Sequence, residues 1–141
     1  HSNSLQLLLA ESARDQANFR ASPFLETAIE LFLEQKYEAA LEQIDKAMAI
    51  SADVPSLAHY FRAKICLRLR KYEEGEKSIS HYISAVPSSL YGLLLRASFY
   101  YQMEKWERAT EDLKQILEQR PNFTEALEAL KKVEILRDKN S

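Results

Sequence analysis

The chain is poor in residues that break helices and in residues that cross-link or bind metal. Two glycines and four prolines among 141 residues leave few places where the backbone must leave a helix, while Leu, Ala, Glu, Lys and Gln abound. Strands have little support. The one cysteine, Cys66, excludes an internal disulfide and a cysteine-based metal cluster within one chain. A reducing compartment follows from that, and a cytoplasmic location is expected. Apolar runs such as Leu7 to Ala10 fall far short of the roughly 20 residues needed to cross a bilayer. No membrane span is expected, and without a basic leader the same run is too short for a signal peptide. Charge of one sign is missing as well: 19 basic residues against 21 acidic ones leave a formal charge of −2. A general polyanion binder needs a cationic excess, so no nucleic acid partner is expected. What remains is 46% hydrophobic residues, enough for one domain with a real core.

Three stretches repeat one another: KYEAALEQIDKAM from Lys36, KYEEGEKSISHYI from Lys71 and KWERATEDLKQIL from Lys105, at spacings of 35 and 34 residues. A period of this size marks stacked helical hairpins. Each stretch follows an apolar helical segment, SPFLETAIELFLEQ from Ser22, PSLAHYFRAKICLRL from Pro55 and SSLYGLLLRASFYYQM from Ser88, which supplies the first helix of its hairpin. Ser22 before Pro23, and Ser88 or Ser89, carry the signature of a capped helix start. In register, Ala28, Ala63 and Ala97 share one position and Ala40, Gly75 and Ala109 another. Small side chains there let two helices approach closely. Tyr37, Tyr72 and Trp106 open the second helices with a ring that can pack inside each hairpin, and Pro87 and Pro121 stop two of them.

These shared positions resemble the tetratricopeptide repeat, over about residues 22–122. The resemblance implies an all-α superhelical solenoid of three hairpins, at about 22–54, 55–88 and 89–122, with an N-terminal helix in 1–21 and a C-terminal capping helix in 123–141. Ala52 stands where the first unit's terminal proline belongs, and Gly75 with Tyr82 are expected to mark a locally altered second hairpin. In the closing segment, Asn122 or Thr124 is the expected cap, and Leu127, Leu130, Val133 and Leu136 share the face expected to cover the last repeat.

The resemblance also implies that the first helices line a concave groove. Carried over residue by residue, it assigns Leu25, Ile29, Phe32 and Leu33 from the first unit and Leu57, Tyr60, Phe61, Lys64, Leu67 and Arg68 from the second. From the third come Tyr91, Leu94, Leu95, Ser98, Tyr101 and Gln102. An apolar set of this kind implies a protein partner presenting an apolar or amphipathic helix, with Lys64 and Arg68 orienting it through an acidic neighbour. Some repeats of this family instead clamp the acidic tails of heat-shock chaperones. The matching positions here are Leu25, Ile29, Phe61, Tyr91 and Leu95, none of which can hold a terminal carboxylate. The implied activity is that of an adaptor, co-chaperone or chaperone-like module. The alternative is a structural or assembly module whose groove is filled by its own N-terminal helix, through Leu5, Leu8 and Leu9, or by a second copy in a homo-oligomer.

The basic run Arg62, Lys64, Arg68, Arg70 and Lys71 reads as a solvated face balanced by Glu73, Glu74 and Glu76. Nothing points to an enzyme, a cofactor or a metal. His1, His59 and His81 lack Cys, Asp or Glu partners at ligand spacing, and Cys66 falls where a buried small hydrophobe is expected. Gly75 and Gly92 form no phosphate-binding loop, and Glu26, Glu30 and Glu34 have the spacing of a solvated helix edge.

Overall fold

The computed structural model describes residues 22–50 and 54–140. The N-terminal segment and Ala52 lie outside the described residues. Among the described residues every element is an α-helix: α1 (Pro23–Leu33), α2 (Tyr37–Ile50), α3 (Ser56–Arg68), α4 (Tyr72–Ala85), α5 (Leu90–Gln102), α6 (Trp106–Gln119) and α7 (Thr124–Lys139). The chain divides into two compact units, one ending at Pro87 and one beginning at Ser88. In the first, α1 packs on α2 and α3 on α4, with α3 also touching α1 and α2. In the second, α6 packs on both α5 and α7.

The helix starts follow local chemistry. The Ser22 hydroxyl accepts from the Leu25 N–H at 3.4 Å, with Pro23 in the first turn, where no donor is needed. Ser89 accepts from the Gly92 N–H at 2.9 Å. α7 starts differently, because Phe123 takes the cap position with no side-chain bond and neither Asn122 nor Thr124 caps it. Its ring lies edge-on to Tyr91 at 5.9 Å, so aromatic packing sets the entry to this helix. The buried face of α7 keeps the expected Val133 but takes Ala126 in place of Leu127. Ala126 and Val133 are the buried pair, while Leu127 is 42% exposed and Leu130 and Leu136 are half-buried.

All three hairpin turns have one construction. Gln35, Arg70 and Glu104 take the left-handed conformation at φ 63°, 60° and 59°. The next residue then donates back across the turn, Lys36 to the Leu31 carbonyl at 2.8 Å, Lys71 to Cys66 at 2.9 Å and Lys105 to Tyr100 at 2.8 Å. This closed bond pattern satisfies carbonyls that a helix end would otherwise leave orphaned, and it normally takes glycine. The proline stops act as expected, with α4 ending at Ala85 and α6 at Gln119, two residues before Pro87 and Pro121.

The small positions are the contact line. Ala28, Ala40, Ala63 and Ala109 are fully buried, and Ala97 and Gly75 are buried too. Gly75 and Tyr82 do not alter the second hairpin, since α4 runs unbroken through both. Tyr82 is fully buried with its ring 5.4 Å from Tyr60. The missing side chain at Gly75 and the large one at Tyr82 lie two turns apart on one helix face, where close approach and filling complement each other.

Candidate functional site

Arg62 on α3 was expected on a solvated face, but its side chain is only 16% exposed and joins three helices. Its Nε donates to Asp45 Oδ1 of α2 at 2.8 Å, and its two terminal nitrogens donate to Ser78 Oγ at 2.9 Å and Glu74 Oε1 at 3.2 Å of α4. Arg96 on α5 repeats the arrangement one period later. It grips the buried Asp112 of α6 through two bonds of 2.9 and 2.8 Å. Both arginines directly precede the small alanine of their helix, and Ser78 and Asp112 are also one period apart. This spacing is the sequence signal for the brace, and it was missed because charge runs on helices are usually solvated. Thr27 and Gln43 hold the corresponding positions of the first hairpin, which has no such charge.

Cys66 is fully buried against Arg62, and burial pushes its thiol up. His59 of α3 and His81 of α4 stack at 3.9 Å with planes 17° apart, a pairing hidden by the 21 residues between them. Burial, then the His81 and Arg62 charges, lower His59 to about 4. No group of three or more metal-ligating side chains occurs among the described residues.

In the first unit the structure brings Phe32, Tyr60, Phe61 and Lys64 together. Lys64 Nζ lies 5.8 Å from the Phe32 ring centre and 5.7 Å from that of Tyr60, and Tyr60 meets Phe61 edge-on at 5.7 Å. Leu25, Leu57, Tyr60 and Phe61 are buried, so they support the surface more than they form it. Ile29, Phe32, Lys64 and Leu67 are half-buried, Arg68 is exposed, and Leu33 is 63% exposed. Phe32 also meets Tyr37 edge-on at 5.7 Å, which ties the end of α1 to the start of α2. In the second unit Leu95 is buried, Tyr91, Leu94, Ser98 and Tyr101 are half-buried, and Gln102 is exposed. The Tyr101 ring packs edge-on to Trp106 at 5.8 Å. Each unit thus presents a partly open apolar stripe on its first helices.

No protein-family model matches the chain. It is 30% identical over 92 residues to a DnaJ homolog subfamily C member 7 homolog of Schizosaccharomyces pombe, a match covering 63% of this chain and 19% of that protein. A DnaJ homolog subfamily C member 3 homolog of Dictyostelium discoideum is 29% identical over 98 residues, covering 67% of this chain and 20% of the relative. The chain spans about a fifth of the length of these curated relatives. Among solved structures, the first tetratricopeptide domain of Spaghetti (RPAP3), bound to the HSP90 peptide SRMEEVD, superposes with TM-score 0.74 at 22% identity, over 90% of this chain and 95% of that one. The second such domain of human RPAP3, in complex with the HSP70 peptide SGPTIEEVD, gives 0.70 at 23% identity, over 89% and 96%. The P58(IPK) tetratricopeptide domain gives 0.74 at 19% identity, over 91% and 36%. At these identities the shared property is the fold.

Proposed function

The chain has the tetratricopeptide-repeat fold, and from that premise we propose that it is a protein-interaction module of co-chaperone type, binding an apolar or amphipathic segment of a partner through its first helices. The observation that carries this reading is the open apolar character of α1 and α3, on which Leu33 is 63% exposed and Ile29, Phe32 and Leu67 are half-buried. An isolated exposed leucine is ordinary, but a run of aliphatic and aromatic side chains at helical spacing is the kind of surface that gains by covering. The α5 stripe of Tyr91, Leu94, Ser98 and Tyr101 has the same character. Helix-in-groove recognition uses anchors at this spacing. The DnaJ names of the curated relatives support a chaperone setting.

The ligand chemistry differs from that of the RPAP3 domains. Leu25, Ile29, Phe61, Tyr91 and Leu95 occupy the positions at which tail-clamping repeats carry cations and amides, so a free acidic C-terminus has no donors there. The test is a binding titration with two probe types: the peptide SRMEEVD, and fluorescent amphipathic peptides about 15 residues long with Leu and Phe at helical spacing. The amphipathic peptides bind and SRMEEVD does not. Leu33→Glu weakens binding about tenfold or more without changing helicity, whereas Ile135→Glu on α7 leaves it unchanged. Equal loss from both substitutions contradicts the reading.

A further inference from the structure

Lys64 is the least expected charge on this surface. Its ammonium lies within 6 Å of two ring centres, Phe32 of α1 and Tyr60 of α3, on a half-buried side chain. Among the described residues it makes no hydrogen bond and no ion pair. The charge that bears on it is Arg68, one turn along the same helix and of the same sign. Burial and then that like charge hold the amine below the ordinary lysine range.

Two aromatic faces attract a cation but replace little of the water it gives up, so the charged form is under-compensated. The rest of the basic run does not share this condition. Arg62 is bound by Asp45, Glu74 and Ser78. An anion arriving at Lys64 meets a cation that has already lost part of its hydration and an exposed guanidinium one turn away. Charge-assisted bonds are strong under such conditions. The Phe32 and Tyr60 rings beside the ammonium and Leu67 one turn along α3 are apolar, so the anion must come attached to an apolar segment rather than alone.

We propose that Lys64, with Arg68, is the receptor for a side-chain carboxylate of the bound segment, so that the partner of this face is an amphipathic stretch with a Glu or Asp beside its apolar stripe. The proposal rests on the reading that the α1 and α3 surface binds a partner segment. It differs from tail clamping because the carboxylate is on a side chain and the chain end plays no part.

The experiment uses the full chain and C-terminally amidated amphipathic peptides, each made in a Glu and a Gln version at the position flanking the stripe. The Glu version binds about tenfold more tightly, and Lys64→Met, which keeps the apolar stem, reduces the ratio to near one. If both versions bind alike to the natural chain, the carboxylate receptor is wrong while the interaction surface stands. If neither binds, the interaction reading fails and the receptor with it. A second readout needs no variant: the pH titration of the Lys64 ε-carbon resonance has a depressed midpoint in the free chain and rises when the Glu peptide binds. A midpoint already raised in the free chain, and unmoved by peptide, would assign the niche to an anion of this chain or of a second copy and overturn the proposal.

Discussion

At the scale of single residues, strain, charge and titration each leave a measurable trace. Gln35, Arg70 and Glu104 hold a left-handed backbone that costs a non-glycine residue about 1 kcal/mol. Glu104→Gly therefore raises stability by about 0.5–1 kcal/mol in urea denaturation, and a neutral or destabilising result would mean that the side chain contributes as much as the backbone loses. The Arg96–Asp112 pair is the buried one, with the aspartate side chain 5% exposed. Arg96→Ala takes two charge-assisted bonds from that buried carboxylate and costs about 3 kcal/mol, while Arg96→Met with Asp112→Leu recovers most of the loss. Two equally destabilised variants would contradict this account of the brace. For His59 the folded value of about 4 lies below the ordinary 6.5, so the folded state binds fewer protons between those values. Stability from this group is present above pH 6.5 and is lost as pH falls towards 4. The side chain is half-buried, so solvent screening reduces the loss to about 1–2 kcal/mol. His59→Phe keeps an aromatic ring beside His81 and removes the titration, so the pH dependence of denaturation over this window flattens. An unchanged slope would assign it to other groups.

At the scale of elements, the three hairpins share a contact line and a turn but differ in how the line is filled. Gly75 stands in α4 where α2 and α6 have Ala40 and Ala109. Gly75→Leu forces a large side chain into the α3–α4 contact and costs about 2–3 kcal/mol, read as a lowered denaturation midpoint. A neutral effect would mean that the helices do not touch there. Hairpin boundaries, small positions, aromatic openings and proline stops were legible because each follows from local sequence and recurs in register. The pattern was not decisive where a residue type has two readings. Alanine counts weakly as apolar, so the pattern of α7 favours Leu127 over Ala126, while Val133 lies on the buried face as expected. Arg62 and Lys64 looked solvated because sequence shows their charge and not the helices that close over them. The His59–His81 stack joins two helices and has no local signal at all.

At the scale of the whole molecule, the repeat sets the scaffold, and the proposed recognition falls on the positions where the repeats differ. The small-residue contact line draws on both helices of every hairpin, whereas α1, α3 and α5 diverge in the residues left open on their surface. No helix among the described residues is long and apolar enough to cross a membrane. The surface of Ile29, Phe32, Leu33 and Leu67 supports capture of an apolar segment, and Leu33 is its most exposed member. The most direct measurement is one anisotropy titration of the full chain against an amphipathic helical peptide and against SRMEEVD, repeated with Leu33→Glu. The account predicts binding of the amphipathic peptide alone, weakened about tenfold by the substitution. Tight binding of SRMEEVD with indifference to Leu33→Glu would contradict it.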